Sequence, residues 1–156
     1  MQNKVQSVSQ MEALMPLVRE ALDNGQSVRF YPRGVSMLPM LRQDIDSVVL
    51  SPIGAALKQF DLPLYQRDNG KYVLHRIIDA GNTYICMGDN QFVPEPDVRQ
   101  DQMIGIVTSF FRGNREIPVT AWWYQLYCRL WHYSRPIRHF WRRGVRWIRR
   151  HFIFKK

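Results

Sequence analysis

The chain has 156 residues, of which 46% are hydrophobic and 22% are charged, a composition that excludes intrinsic disorder and predicts one domain with a buried core. Residues 120–156 contain ten of the 22 Lys and Arg residues and no Asp or Glu, so the net charge of +9 belongs to this segment. Such a charge asymmetry predicts an anionic partner for the C-terminal part, either lipid headgroups or nucleic acid.

The N-terminal segment, residues 1–26, is expected to be helical. Apolar residues recur at helical spacing over 10–24, Ser9 and Glu12 fit a capping box at the start, and Gly25 fits a stop. Charged residues are spread through this segment, so it does not fit a signal peptide. The sequence contains no window of 18 uninterrupted apolar residues, so no ordinary transmembrane helix is predicted.

Residues 27–117 predict a mainly β domain. Six segments alternate apolar and polar residues or form compact apolar runs. These segments are 27–31, 47–52, 62–67, 71–78, 83–88 and 103–112. Turn sequences at 68–70 and 81–82 separate neighbouring segments. Because no helices alternate with the strands, the pattern favours small antiparallel sheets over a doubly wound α/β fold.

Residues 118–156 predict a basic, aromatic tail of two amphipathic helices, over 121–134 and 137–152, with Pro136 between them. Aromatic residues on one face and arginines on the other are typical of helices that lie in a membrane interface. The residues expected to contact an anionic membrane are Trp141, Arg142, Arg143, Arg146, Trp147, Arg149 and Arg150. Two alternatives stay open: a helix pair packed on the domain with solvated arginines, and nucleic-acid binding, which has the charge but no known motif.

Ser36, in the stretch RGVSMLPM, is the candidate nucleophile. A serine hydroxyl needs a general base, and His75 is the best-placed histidine because the other three lie in the basic tail. Asp89 and Glu95 follow the predicted strand 83–88 and are candidates to orient this histidine. Each residue also has a purely structural alternative: a turn serine, a packed histidine and a turn carboxylate.

Cys86 and Cys128 lie in different segments of the chain. Two cysteines form no dense disulfide framework, so they do not decide the redox compartment. Neither cysteine stands at metal-ligand spacing from a histidine. We therefore predict no metal and no cofactor.

Four motifs, in order, resemble those of the type I signal peptidases and of the self-cleaving repressor peptidase domains related to them. GVSMLPMLRQDIDSVVLSP (34–52) resembles the serine box, and VLHRIID (73–79) resembles the box of the catalytic base. YICMGDNQ (84–91) resembles the Gly-Asp-Asn box, and MIGIV (103–107) resembles the strand that closes the core. The resemblance spans roughly residues 27–112. It implies a serine endopeptidase that processes a protein or peptide precursor.

A histidine at position 75 resembles the endoplasmic-reticulum and archaeal type, whereas ordinary bacterial signal peptidases have a lysine there. The resemblance implies that Ser36 attacks a peptide carbonyl while His75 takes its proton. The resemblance also implies that an acidic residue after the Gly-Asp-Asn box supports the histidine. Counting forward reaches Glu95, and Asp89 of the box itself is an equal candidate. Lys71, on the same predicted strand face, is a further possible base.

Three other residues of the serine box would shape the site. Gly34 removes a side chain where substrate approaches, Pro39 stiffens the loop, and Met37 contributes an apolar wall. The backbone N–H of Ser36 and a second donor would hold the oxyanion. In the relatives, substrate binds as an extended strand with small residues before the cut.

The sequence also departs from the family pattern. The family has an N-terminal membrane anchor that this chain is expected to lack, Arg-Gly-Asp becomes Arg42-Gln43-Asp44, and a Gly-Asp becomes Phe60-Asp61. The basic tail would then supply peripheral or monotopic membrane attachment, and its charge favours the cytoplasmic leaflet. Signal peptidases act on the outer side of the membrane, so the side on which this protein works stays undecided. The alternative function is an inactive membrane-surface or nucleic-acid-associated regulatory module.

Overall fold

In this computed structural model, the structure describes residues 2–148, with side chains described for residues 13–141. The helices are α1 (Gln2–Asp23), α2 (Trp122–Tyr133) and α3 (Arg135–Ile148). The strands are β1 (Val28–Phe30), β2 (Ser47–Ser51), β3 (Pro63–Gln66), β4 (Tyr72–Leu74), β5 (Arg76–Ala80), β6 (Tyr84–Met87), β7 (Glu95–Val98), β8 (Met103–Arg112) and β9 (Arg115–Pro118). A short 3-10 helix, Gln100–Gln102, precedes β8. The prediction of a small, mainly β domain with flanking helices is confirmed.

The strands form two antiparallel sheets. The larger sheet has the order β1-β2-β8-β3-β4, and the smaller one has the order β5-β6-β7. In the larger sheet β8 is the central strand: β2 pairs along one side of it, while β3 and β9 pair with successive stretches of the other side. The main core lies between this sheet, α1, α2 and the loop that carries Ser36.

Helix α1 begins at Gln2, eight residues before the predicted start at residue 10. The predicted capping box is therefore wrong, because residues 2–9 contain neither Gly nor Pro and nothing in them ends the helix. The predicted stop at Gly25 is confirmed. Gly25 has a φ of +75° and donates its N–H to the Leu22 carbonyl, while Gln26 donates to the Ala21 carbonyl. These two bonds form a Schellman cap.

The apolar segment 71–78, predicted as one strand, is two strands in two different sheets. Residues before position 75 pair with β3 in the larger sheet, where Leu64 faces Leu74. Residues after it pair with β6 in the smaller sheet, where Arg76 faces Met87. His75 is thus at the crossing between the sheets, and it is only 3% exposed.

Two strands, β7 and β9, were absent from the sequence prediction. Both contain a proline, and β7 has the sequence EPDV, in which Pro and Asp are poor strand formers. Strand β9 pairs with the longer β8 and β7 pairs with β6, and this backbone pairing outweighs the weak local preference. The register of β7 places Glu95 opposite Cys86.

The C-terminal helices pack directly on the β domain. Tyr124 and Cys128 of α2 are buried in the main core. Helix α3 already begins at Arg135, so Pro136 lies in its first turn and does not separate the helices as predicted. Pro136 has no backbone N–H, and this costs no helical hydrogen bond because N–H groups of the first turn have no partner within the helix. Among residues 2–148, none of the helices combines the length and the apolar character needed to cross a membrane.

Candidate active site

Gly88 brings Ser36 and His75 to the same point. A Cβ atom on Gly88 would lie 2.6 Å from the carbonyl oxygen of Ser36, 3.0 Å from the Cβ of Ser36 and 3.1 Å from Nε2 of His75. Ser36 and Nε2 of His75 therefore border the same small space, with the glycine backbone as its back wall. Two residues that are 39 positions apart in the sequence thus meet at Gly88.

The loop of Ser36 is held by two hydrogen bonds from Asn90 of the Gly-Asp-Asn turn, one from its backbone and one from its side chain. The N–H of Asn90 donates to the Ser36 carbonyl at 2.8 Å, and Nδ2 of Asn90 donates to the Val35 carbonyl at 3.1 Å. Gly34 has a φ of +93°, a conformation that favours glycine, and donates its N–H to Gln43. The nucleophile candidate is therefore on a fixed turn.

Met37 and Pro39 follow within the same turn. Met37 is 4% exposed and belongs to the main core, so it anchors the loop in addition to lining the site. Pro39 is exposed, and the Leu38–Pro39 peptide bond is cis.

A cavity of about 200 Å³ opens at the two candidate catalytic residues. Besides Ser36 and His75 it is lined by Gly34, Met37 and the residues 72–74 of strand β4. The serine is half-buried and lines this cavity. The cavity is small and has both polar and apolar walls.

The imidazole of His75 has two different sides. Nε2 faces Gly88 and Ser36, whereas Nδ1 lies 3.4 Å from the Tyr65 hydroxyl and 3.8 Å from Oε2 of Glu95. The Tyr65 hydroxyl donates to Oε2 of Glu95 at 2.8 Å, so its oxygen can accept a hydrogen bond from Nδ1–H of His75. This network assigns the proton to Nδ1 and leaves the lone pair on Nε2, facing the serine.

The electrostatics of the site keep His75 neutral. Burial lowers the pKa of His75 to about 4, while the charge of Glu95 opposes this shift. Burial raises the pKa of Glu95, but hydrogen bonds from Arg67 and Tyr65 outweigh it and hold that pKa below its usual value. Arg67 binds both carboxylate oxygens, at 2.7 and 2.6 Å. The pair at neutral pH is therefore a neutral imidazole beside an ionised carboxylate.

Asp89, the second candidate to orient the histidine, is bound elsewhere. Its two carboxylate oxygens accept hydrogen bonds from Arg76 at 2.9 and 2.8 Å, and both residues are 3% exposed. Arg76 also donates to the Phe60 carbonyl and to the Tyr124 hydroxyl. Of the two acids, Glu95 lies beside His75 and Asp89 forms a buried ion pair.

Lys71, the alternative base, lies before β4 in the turn between β3 and β4 and is exposed. Its N–H donates to the side chain of Asn69, and it does not line the cavity. The geometry thus favours His75 over Lys71 as the base.

Sequence reasoning missed three residues of the site: Gly88, Tyr65 and Arg67. Gly88 was part of a recognised motif, but its close approach to Ser36 depends on how two distant loops meet. Tyr65 and Arg67 lie two positions apart in the predicted strand 62–67, so period-2 alternation places both on one face. That signal could have suggested a polar pair next to the histidine strand.

The positions where the sequence departs from the signal-peptidase pattern that it resembles have distinct structural roles. Asp46, and not Asp44, is fully buried, and it accepts three hydrogen bonds from Arg42. Phe60 has a φ of +77°, in the left-handed region where the family pattern has glycine. Its ring packs edge-on against His132 of α2, with centroids 5.6 Å apart.

The predicted membrane residues lie in or beyond α3. Trp141 is 73% exposed. Arg142, Arg143, Arg146 and Trp147 belong to the α3 backbone, and their side chains are outside the described set; Arg149 and Arg150 lie outside the described residues.

Cys86 and Cys128 are buried free thiols. Within the described part of the chain no three His, Cys, Asp or Glu residues are grouped as metal ligands.

Comparison of the chain with protein-family models and with curated proteins gave no match. The geometry of the site and the order of the sequence motifs therefore carry the functional proposal.

Proposed function

We propose that the protein is a serine endopeptidase that cleaves a peptide bond in a protein or peptide precursor. The observation that carries this proposal is the position of Gly88, which packs against both Ser36 and Nε2 of His75. The orientation of the His75 ring supports the proposal as well. Nε2 faces the nucleophile and Nδ1 faces Tyr65 and Glu95, as general-base catalysis by a histidine requires.

In the proposed reaction, Oγ of Ser36 attacks the scissile carbonyl carbon while Nε2 of His75 takes the hydroxyl proton. The ionised Glu95 stabilises the imidazolium that forms, in part through the Tyr65 hydroxyl between them. The imidazolium then gives its proton to the leaving amine, and the acyl group stays on Ser36. Water, deprotonated by the same Nε2, releases the acid and restores the serine. We assign the backbone N–H of Ser36 to the oxyanion.

The shape of the site favours an extended peptide with a small side chain at the cut. Strand β4 borders the cavity and pairs with β3 on one side, so its other edge is available to a peptide strand. A cavity of about 200 Å³ is smaller than the roughly 300–1,000 Å³ typical of drug-sized ligands. It accommodates one small residue.

The test is mass spectrometry of peptide pools incubated with wild type, Ser36→Ala and His75→Ala. Ser27→Ala is the matched control, because Ser27 is an exposed serine that is hydrogen-bonded to Ser51 and does not line the cavity. Cleavage by wild type and the control alone supports the proposal. If the two site variants cut as well as wild type does, Ser36 is not the nucleophile. If no pool is cut by any protein, an inactive module becomes the better description.

We also propose that the enzyme works at an anionic membrane surface. Helices α2 and α3 expose an apolar face, defined here as Trp123, Leu126, Leu130, Ile137, Phe140 and Trp141. Residues 120–156 carry ten basic and no acidic residues, and each basic residue near an anionic surface adds about 1 kcal/mol. The charge favours the cytoplasmic leaflet.

Vesicle flotation tests this second proposal. The protein should float with anionic vesicles at low salt and less with neutral vesicles, because headgroup attraction is screened by salt. A DNA fragment in the same buffer provides the comparison. Binding to DNA without binding to vesicles would overturn the membrane proposal and favour the nucleic-acid alternative.

A further inference from the structure

The turn of residues 88–91 is held from two opposite sides. On the inner side, Asn90 donates to the Ser36 and Val35 carbonyls. On the outer side, the indole Nε1–H of Trp131 in α2 donates to the Asp89 carbonyl at 2.7 Å. A short path of hydrogen bonds and one peptide unit thus runs from helix α2 to the nucleophile loop.

Further contacts from both C-terminal helices fix the same turn. The Asp89 carboxylate pairs with Arg76, which donates to the Tyr124 hydroxyl of α2 at 3.0 Å. Beyond the turn, the ring of Phe92 stacks on His139 of α3 with centroids 5.0 Å apart. The helix pair therefore forms an outer support of the catalytic turn.

The position of Trp131 itself is fixed by Arg138 of α3. The Arg138 guanidinium lies 3.7 Å from the centroid of the Trp131 ring, and it donates to the Trp131 carbonyl. A movement of α3 relative to α2 would therefore displace the indole.

Trp131 also borders the outer surface of the molecule. Its side chain, with Trp123, Leu126, Tyr127, Leu130 and Ser134, lines an open, mainly apolar groove of about 390 Å³. One indole thus has its N–H on the catalytic turn and part of its ring in a groove on the apolar face. The basic residues of α2 and α3, with no acidic residue among 121–148, suit this groove to an acyl chain beneath anionic headgroups.

From these contacts we propose that Trp131 is a positioning residue of the serine site, through which docking of α2 and α3 on an anionic lipid surface raises turnover at Ser36. This inference rests on the proposed peptidase function. Lipid in the groove favours one position of the indole, and the bond to the Asp89 carbonyl holds the turn, and with it Ser36, in the productive position. Since coupling is reciprocal, substrate at Ser36 strengthens vesicle binding by the same factor.

The test compares wild type with Trp131→Phe, which keeps an aromatic ring in the groove but lacks the N–H donor. Trp122→Phe is the matched control, because Trp122 is a 77% exposed tryptophan of the same helix outside the groove. We expect Trp131→Phe to lower kcat about 5- to 10-fold with KM unchanged, since one hydrogen bond to the turn is lost. Anionic vesicles should raise kcat of wild type and of Trp122→Phe about fivefold or more, but not of Trp131→Phe.

A second readout does not require peptidase activity. Hydrogen exchange of the Asn90 amide, which is bonded to the Ser36 carbonyl, reports directly on the turn. Vesicles should slow this exchange in wild type and leave it unchanged in Trp131→Phe, at equal vesicle binding. If wild type cuts no peptide but shows this exchange pattern, the peptidase proposal fails and the coupling stands. If Trp131→Phe matches wild type in exchange, or in kcat and its stimulation where wild type cuts, the inference is overturned.

Discussion

Gly88 and Ser36 are packed backbone against backbone, so that a Cβ atom at position 88 would lie 2.6 Å from the Ser36 carbonyl oxygen. Gly88 does not have a positive φ, so what it provides is space and not conformational freedom. The neighbouring bond from Asn90 to the same carbonyl needs this close approach. The glycine of the turn is therefore part of the geometry that places Ser36, the proposed nucleophile.

The first prediction concerns Gly88→Ala. The added methyl group would push the Ser36 backbone away, and a displacement of about 1 Å costs about 100-fold in rate. We expect kcat to fall about 100-fold and the free energy of unfolding to fall by about 1–3 kcal/mol, measured by peptide hydrolysis and urea denaturation. Gly54→Ala is the control, because nothing lies within 4 Å of its added Cβ. Equal activity of both variants would contradict the role of Gly88.

The second prediction separates Glu95 from Asp89. Glu95→Gln removes the charge that faces Nδ1 of His75, so we expect kcat to fall about 10- to 100-fold with little loss of stability. Asp89→Asn leaves Arg76 buried without its carboxylate, which costs about 3–5 kcal/mol of unfolding free energy. Kinetics and urea denaturation of both variants give the answer. The reverse pattern would mean that Asp89 is the orienting acid.

The third prediction follows from the pKa of His75, which burial lowers to about 4. An unfolded histidine has a pKa of about 6.5, so between about pH 6.5 and pH 4 the unfolded chain binds the extra proton. Stability from this residue is thus present above about pH 6.5 and is lost as the pH falls toward about 4, by about 3 kcal/mol in total. We expect denaturation curves to show this loss in wild type in excess of any loss in His75→Gln.

The same low pKa of His75 should set the acid limit of the proposed peptidase activity. Because the imidazole must be neutral to accept the serine proton, kcat/KM should stay high at about pH 5.5 and fall only near pH 4. Glu95→Gln should move this limb to lower pH, since the Glu95 charge raises the pKa of His75. An acid limb near pH 6.5 in wild type would show that His75 is solvated in the working enzyme.

The sequence predicted the larger features of the fold from local patterns. The largely apolar segment 103–112 located β8 to the residue, and the Gly25 stop located the end of α1. Strand β7 was missed because its Pro96 and Asp97 oppose a strand, and only pairing with β6 makes it one. Local preference is a weak guide wherever a neighbouring strand supplies the hydrogen bonds.

The sequence predicted the main residues of the candidate site, but not the hydrogen bonds and ion pairs between them. Ser36, His75 and Asp89 stood in the motifs and Glu95 followed one of them, yet nothing in the sequence distinguished Glu95 from Asp89. The distinction comes from Arg76, which pairs with Met87 in the smaller sheet and forms an ion pair with the Asp89 side chain. Such pairings depend on the register between strands, which the hydrophobic pattern did not fix here.

The fourth prediction concerns Phe60, which is buried at a φ of +77°. Phe60→Ala loses the ring contact with His132 and keeps an unfavourable backbone, for about 3–5 kcal/mol of lost stability. Phe60→Gly loses the same ring but relieves the left-handed strain, so it should be about 1 kcal/mol more stable than Phe60→Ala. At Phe30, in the extended strand β1, the order should reverse, with Gly below Ala. Urea denaturation of the four variants decides; the same order at both sites would rule out strain at Phe60.

The last prediction concerns the apolar face of α2 and α3. Phe140 and Trp141 are 81% and 73% exposed, so replacing both with Ser should leave the free energy of unfolding within about 0.5 kcal/mol of wild type. If these side chains enter the membrane interface, each contributes about 1.5–3 kcal/mol, and the double variant should bind anionic vesicles at least about 100-fold more weakly. Leu17→Ser on α1, where Leu17 is 62% exposed, is the control and should bind as wild type does. Equal flotation of the double variant and the control would assign vesicle binding to the arginines alone.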